Sequence, residues 1–205
     1  MDPHRVGHET RYYPGQTIVY TSDILLINKV ATAHYANVLQ VTDTVTAMNP
    51  TAVIVEAASP VIIDTKDEHL VKGKRALIVE DGPTLTHGGM KYGAGIVAAE
   101  RNSVKEIVDP RPYLQGTLKD TFAHYPDIGH LLPAMGYGDE QVKDLEATIN
   151  ATDCDVVISG TPIDLSRVLK ANKPMVRVKY DLQCIGKPEL SDVIEDRFKK
   201  IGKFK

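Results

Sequence analysis

The stretch Val79-Glu80-Asp81-Gly82-Pro83-Thr84-Leu85-Thr86-His87-Gly88-Gly89-Met90-Lys91-Tyr92-Gly93 holds the side chains best suited to phosphate chemistry. Backbone N–H groups of a glycine-rich loop can converge on an anion where a helix begins, aided by the helix dipole. Thr84, Thr86 and His87 would add side-chain hydrogen bonds, Lys91 a charge, and Gly88 and Gly89 close backbone approach. The spacing matches neither the P-loop nor the dinucleotide fingerprint. A glycine-rich turn that only lets a strand pack tightly on a helix explains the same residues.

Four further constellations carry chemistry. Asp2-Pro3-His4-Arg5-Val6-Gly7-His8-Glu9 gathers acids, histidines and an arginine around one glycine. Asp2 could hold a magnesium ion through water, and Arg5 could grip a phosphate bidentately. His4 and His8 have metal-ligand spacing on a helix, but Pro3 and Gly7 disfavour a helix there, and a frayed polar terminus is the plain alternative. Asn28-Lys29-Val30-Ala31 resembles the NKxD element that reads guanine, with Ala31 where the aspartate belongs, so guanine selectivity is not expected. Asp109-Pro110-Arg111-Pro112 holds Arg111 in stiff backbone, either as an anion grip or as a turn with a surface ion pair. Ser159-Gly160-Thr161-Pro162 follows a strand, and Gly160 and Thr161 are either nucleotide contacts or a helix cap.

Strands alternating with helices must position these residues. Strands are predicted at 24–28, 52–56, 75–80, 106–108, 130–133, 155–159 and 175–178, from short β-branched apolar runs. Helices are predicted at 32–47, from Met90 through Ala99, at 114–122, from Gly138-Asp139 to about Asn150, at 162–169, and in the charged tail 188–205. A surface excursion with a short helix fills 64–74. The alternation implies one α/β domain over 1–205, with a mainly parallel sheet and helices on both faces. Ligands in such folds gather at the carboxyl ends of the strands, where Asn28, Lys29, Glu56, Glu80, Asp81, Asp109 and Ser159-Gly160-Thr161 fall.

The chain has 205 residues, 42% of them hydrophobic, enough for a sizeable core. A net charge of −3 at pH 7 argues against a nucleic-acid partner. Two cysteines, Cys154 and Cys184, lack metal-ligand spacing and fit a reducing compartment, with Cys154 expected to pack in a core. No apolar run approaches the roughly twenty residues that span a bilayer, and the polar start does not resemble a signal peptide, so a cytoplasmic protein is expected.

Taken in order, Asp2-Pro3-His4-Arg5 with Gly7-His8-Glu9, Tyr13-Pro14-Gly15, Ile27-Asn28-Lys29-Val30, Val79 through Gly95, Asp109-Pro110-Arg111-Pro112, Leu132-Pro133-Ala134-Met135-Gly136-Tyr137 and Gly160-Thr161-Pro162-Ile163-Asp164-Leu165 resemble cyclic 2,3-diphosphoglycerate synthetases. The resemblance is to the carboxyl-terminal part of that family of P-loop NTPase relatives and covers nearly the whole chain. It implies a P-loop NTPase-like, Rossmann-like three-layer fold. It also implies ATP- and Mg2+-dependent closure of 2,3-diphosphoglycerate into its cyclic anhydride, a thermoprotective solute of methanogenic archaea. Family members are about twice this length, and their P-loop lies upstream of the Asp-Pro-His-Arg motif. No Gly-x-x-x-x-Gly-Lys-Ser/Thr occurs here. The chain is thus expected to be a carboxyl-terminal portion or a shortened relative, with a homodimer partner or a complementing amino-terminal P-loop portion.

Such a reaction needs positive charge and metal to bring two phosphates together. The resemblance casts Asp2 and Asp81 as metal carboxylates and Asp2, Arg5, His87 and Lys91 as the catalytic group. Asn28, Lys29, Gly160 and Thr161 would face the nucleotide. His4, His8, Thr84, Thr86, Gly88, Gly89 and Arg111 would contact the phosphorylated substrate. The alternatives are a non-catalytic nucleotide or phosphometabolite-binding module and a GTPase-like regulator.

Overall fold

A computed structural model describes residues 1–82 and 93–202. The chain is α/β with mixed sheets and divides into two compact units, Met1–Pro60 with 181–205, and Val61–Tyr180. Of the 181–205 segment, only 181–202 is described.

The first unit holds α1 (His8–Arg11), α2 (Gly15–Thr21), β1 (Ile24–Ile27), α3 (Tyr35–Met48), β2 (Val53–Ala58), β9 (Gln183–Cys184) and α8 (Leu190–Lys200). β1 pairs in parallel with β2, placing Ile27 opposite Glu56, and β9 closes the other side of β2 antiparallel. Val41 and Val45, one helical turn apart on α3, pack with Val19, Leu25 and Ile27 into a closed core. Asn49 ties this core to α2. Its Nδ2 donates to Val19 O and Ser22 O, each at 2.8 Å, and its Oδ1 accepts from Thr51 Oγ1 at 2.9 Å. The last carbonyls of α2 therefore find a buried donor where the helix itself offers none. Asn49→Leu is expected to destabilise this unit by roughly 2–3 kcal/mol, read from the urea midpoint, because buried carbonyls lose their donor. A midpoint unchanged from wild type would show that water replaces the amide.

The second unit holds β3 (Val61–Ile63), α4 (Glu68–Val71), β4 (Arg75–Asp81), α5 (Ala94–Arg101), β5 (Glu106–Ile107), α6 (Thr117–His124), β6 (Leu132–Ala134), α7 (Asp139–Ala151), β7 (Val156–Ser159) and β8 (Met175–Tyr180). The sheet runs β3-β8-β7-β4-β5, with β6 also on β4. β4 is parallel to β5, β6 and β7, and β7 to β8, whereas β3 lies antiparallel on β8. Residues 76–80 of β4 and all of β7 are buried, as continuous apolar runs require in a covered parallel sheet. Leu145 and Ile149 of α7 join that core, and Cys154 packs against it half-buried.

Several boundaries differ from the sequence reading. α3 begins at Tyr35, not Thr32, because Lys29 takes a left-handed backbone with φ 65° and the chain turns through 29–33. Residues 111–113 form a 3-10 turn and α6 starts only at Thr117, so the helix expected from Leu114 is shifted. The helix expected over 162–169 is absent. Only the 3-10 turn Leu165–Arg167 forms, with Asp164 accepting from Ser166 N at 3.2 Å and so starting the turn three residues later than Thr161 would. α2 and the antiparallel strands β3 and β9 carried no distinct signal, being short and mixed in polarity.

Candidate functional site

In the first unit, the chain's start folds onto the carboxyl end of β1. The terminal ammonium donates to Leu26 O at 2.6 Å and Asn28 N to Met1 O at 2.9 Å. Lys29 Nζ reaches Asp2 Oδ2 at 2.9 Å, while Asp2 Oδ1 accepts from His4 N at 3.0 Å. The Asp-Pro-His-Arg and Asn-Lys motifs thus meet. The positive φ of Lys29 is held by its N–H, which donates to Asn28 Oδ1 at 2.8 Å. Burial pushes the Asp2 carboxyl up, but the Lys29 ammonium and the His4 N–H outweigh it, and the pKa falls below the ordinary value. His4 Nε2 lies 3.0 Å from Thr32 Oγ1, and His8 stacks beside Tyr12 with ring centroids 4.6 Å apart. Glu9 is buried and accepts from Gly7 N. Arg5 closes the short turn through its backbone N–H to Asp2 O.

These contacts test the fit of a metal at Asp2. Each Asp2 oxygen already accepts one hydrogen bond, one of them from an ammonium, so a cation held there through water would share the carboxylate with Lys29. His4 and His8 have different neighbours, and among the described residues no three His, Cys, Asp or Glu side chains converge for a metal.

In the second unit, the carboxyl ends of β4 and β7 meet around Glu80. Its Oε1 accepts from Gly95 N at 2.7 Å and Ile96 N at 3.2 Å, so this carboxyl caps α5 from within. Three glycines make room for it. A Cβ at Gly160 would lie 2.5 Å from Oε2 and 2.8 Å from Gly95 N, one at Gly95 would lie 2.7 Å from Ile78 Cγ2, and one at Gly93 would strike the carboxyl itself. Glu80 is 4% exposed. Burial pushes its pKa up to about 7, against the pull of the Gly95 and Ile96 N–H groups, and the charge of Asp81 adds to the rise. A carboxyl that changes charge near neutrality at a strand end is a functional-site signature. Asp81 belongs to the same edge, since burial and then its charge raise the Tyr137 phenol.

Sequence reasoning placed Asp81 in the site and left Glu80 as one more polar strand end. The signal was present: Gly93, Gly95 and Gly160 all flank one carboxylate, but sequence spacing cannot show that they share a neighbour. Two N–H groups at the start of α5 are occupied by Glu80, so an anion cradled by the preceding loop would have to use other donors. Thr84, Thr86, His87, Gly88, Gly89 and Lys91 lie outside the described residues.

Gly160 forms the cage wall, and its N–H donates to Val79 O at 2.8 Å. Thr161 is buried, with its hydroxyl 3.0 Å from Ser159 Oγ and donating to Ile163 O at 2.7 Å. Arg111 Nη1 grips Asp109 at 3.0 Å through both oxygens, its Nη2 donates to Ile128 O, and its guanidinium lies 5.4 Å from the centroid of the Phe122 ring. Of the two readings of Asp109-Pro110-Arg111-Pro112, the turn with an ion pair describes these contacts.

The chain is 52% identical over 204 residues to a protein of Thermococcus kodakarensis named arginine synthetase ArcE. The match takes in 100% of this chain and 45% of that protein, so the chain spans less than half the length of this curated relative. No family model matches the chain. The relative's name is that of a synthetase, as is that of the family the motifs resemble, but it names arginine and not a cyclic diphosphoglycerate. Among the described residues, no helix is long and apolar enough to cross a membrane.

Proposed function

We propose that the chain forms part of an ATP-dependent synthetase that makes a small metabolite, with arginine as the first product to test. The observation that carries this reading is the 52% identity along the whole chain to an arginine synthetase. ATP, as its magnesium complex, is a substrate in this scheme. Its γ-phosphoryl group passes to an oxygen of the acceptor, ADP departs, and a nucleophile then displaces inorganic phosphate from the activated centre. For an arginine-forming enzyme the oxygen is that of a ureido group and the nucleophile is ammonia. For a cyclic diphosphoglycerate the second phosphate attacks the first. Both reactions begin with the same activation, phosphoryl transfer to an acceptor oxygen.

The second reading, cyclic 2,3-diphosphoglycerate synthesis, is favoured by the ordered motifs from Asp2 to Leu165. Glu80 and Asp81, at the end of β4, are our candidates for proton handling and for phosphate-linked metal, respectively. Asn28 and Lys29, His4 and Thr32 form the other polar cluster, for the nucleotide or the acceptor.

Calorimetric titration with MgATP tests the nucleotide half of the reading. The chain is expected to bind MgATP, and more tightly with L-arginine present. A folded sample with no heat from MgATP, alone or with the part of the Thermococcus protein that this chain does not cover, contradicts it.

A further inference from the structure

β8 presents two different faces. Val176 and Val178 are buried at 1% and 3% exposure, while Met175, Arg177 and Lys179 alternate onto the opposite face. A parallel sheet is normally covered on both sides. Here the segment expected to supply a covering helix forms only the 3-10 turn Leu165–Arg167, and the 3-10 turn Thr65–Asp67 stands on the other side. Between them lies a cleft of about 400 Å³ lined by Arg177, Lys179, Lys66, Asp64, Asp67 and Asp164. That volume falls in the range of roughly 300–1,000 Å³ typical of small-molecule sites.

The charges are balanced and partly spoken for. Lys179 pairs with Asp64 at 3.3 Å, and Asp164 holds Ser166 through Oγ at 2.7 Å. Arg177 Nη2 donates to Pro162 O at 2.7 Å, which fixes the guanidinium while leaving further N–H groups of its planar fork. Lys66 and Asp67, neighbours of opposite sign, have no ion-pair partner among the described residues. A polyphosphate entering this cleft would meet three carboxylates. A zwitterion meets a partner for each of its charges.

We propose that this cleft binds a free α-amino acid, its carboxylate on Arg177 and Lys66 and its ammonium on Asp67. The choice of ligand rests on the synthetase reading above, and for that reading L-arginine is the ligand to test. The probes are L-arginine, agmatine, which lacks the carboxylate, and 2,3-diphosphoglycerate, each titrated by NMR into wild type, Arg177→Ala, Asp67→Asn and Lys66→Ala. Lys66 is exposed, so its variant should fold whatever becomes of the others. L-Arginine is expected to bind wild type, with Kd raised about tenfold or more by Arg177→Ala and by Asp67→Asn and less by Lys66→Ala, and agmatine is expected to bind at least tenfold more weakly. Arginine binding that is unchanged in all three variants, agmatine binding as well as arginine, or no arginine binding to wild type would each overturn the site. Arginine binding with the expected variant pattern, but without ATP turnover in the presence of the ureido acid and ammonia even when the part of the Thermococcus protein that this chain does not cover is added, would leave the site standing and remove the synthetase reading.

Discussion

Between pH 5 and pH 8, the Glu80→Gln variant is expected to gain roughly 2–3 kcal/mol of stability relative to wild type in the Val61–Tyr180 unit. The sign follows from the direction of the shift. Glu80 ionises at about 7 in the fold, where burial opposes the charge, against 4.5 as its ordinary value. Below the ordinary value both states are protonated and no penalty arises. As pH rises from about 4.5 to 7, the unfolded chain releases its proton and the folded one keeps it, so wild type loses stability through that window and no further above it. Glutamine keeps an oxygen for the Gly95 and Ile96 N–H groups but does not titrate. The informative quantity is the pH trend of the difference, because the NH2 of the glutamine, lacking an acceptor, adds a constant cost at every pH. Urea midpoints of both proteins at pH 5, 6, 7 and 8 provide the reading. Parallel curves would mean that Glu80 stays ionised in the fold.

Gly160→Ala is expected to destabilise the same unit by about 1–3 kcal/mol, the range for an extra methyl forced into a packed interior. The new Cβ would lie 2.5 Å from Glu80 Oε2 and 2.8 Å from Gly95 N, and Glu80 cannot swing away because Gly93 closes the other side of its carboxyl. The cost is steric, not conformational, which Gly73 checks. Gly73 has φ +71° with nothing within 4 Å of a would-be Cβ, so Gly73→Ala strains the backbone without touching a neighbour. Shortening the carboxyl tests the cause: in a Glu80→Ala background, Gly160→Ala should lose the part of its cost that comes from the carboxyl and keep the part that comes from Gly95 N, and the coupling is read from a double-mutant cycle of denaturation free energies. Additive losses would show that Gly160 serves something other than the Glu80 cage.

The central strands were legible because burial on both faces leaves a continuous apolar signature, as in Ala76-Leu77-Ile78-Val79 and Val156-Val157-Ile158. α7 was legible from Gly138-Asp139 at its start and from Val142, Leu145 and Ile149 on one face. The antiparallel strands were not, since Val61–Ile63 and Gln183–Cys184 are too short for a period and depend on partners far along the chain. Thr161-Pro162 reads locally as a helix start, yet Asp164 captures Ser166 N and the chain turns there.

The site was readable in part for the same physical reason. Asp2 and Lys29 were both singled out, but that the lysine would pair with the aspartate depends on the first residues folding against β1. Glu80 was hidden among polar strand ends, because what sets it apart is the convergence of residues 80, 93, 95 and 160 in space.

The most direct test of the synthetase reading is the yield of ADP, inorganic phosphate and arginine from the chain, combined with the part of the Thermococcus protein that it does not cover, and supplied with MgATP, ammonia and the ureido analogue of arginine. The reading predicts the three products in equal amounts, with none formed when the ureido acid is omitted. ADP and phosphate released only when 2,3-diphosphoglycerate replaces the ureido acid would contradict arginine as the product, and no ADP with either acceptor would contradict the synthetase reading itself.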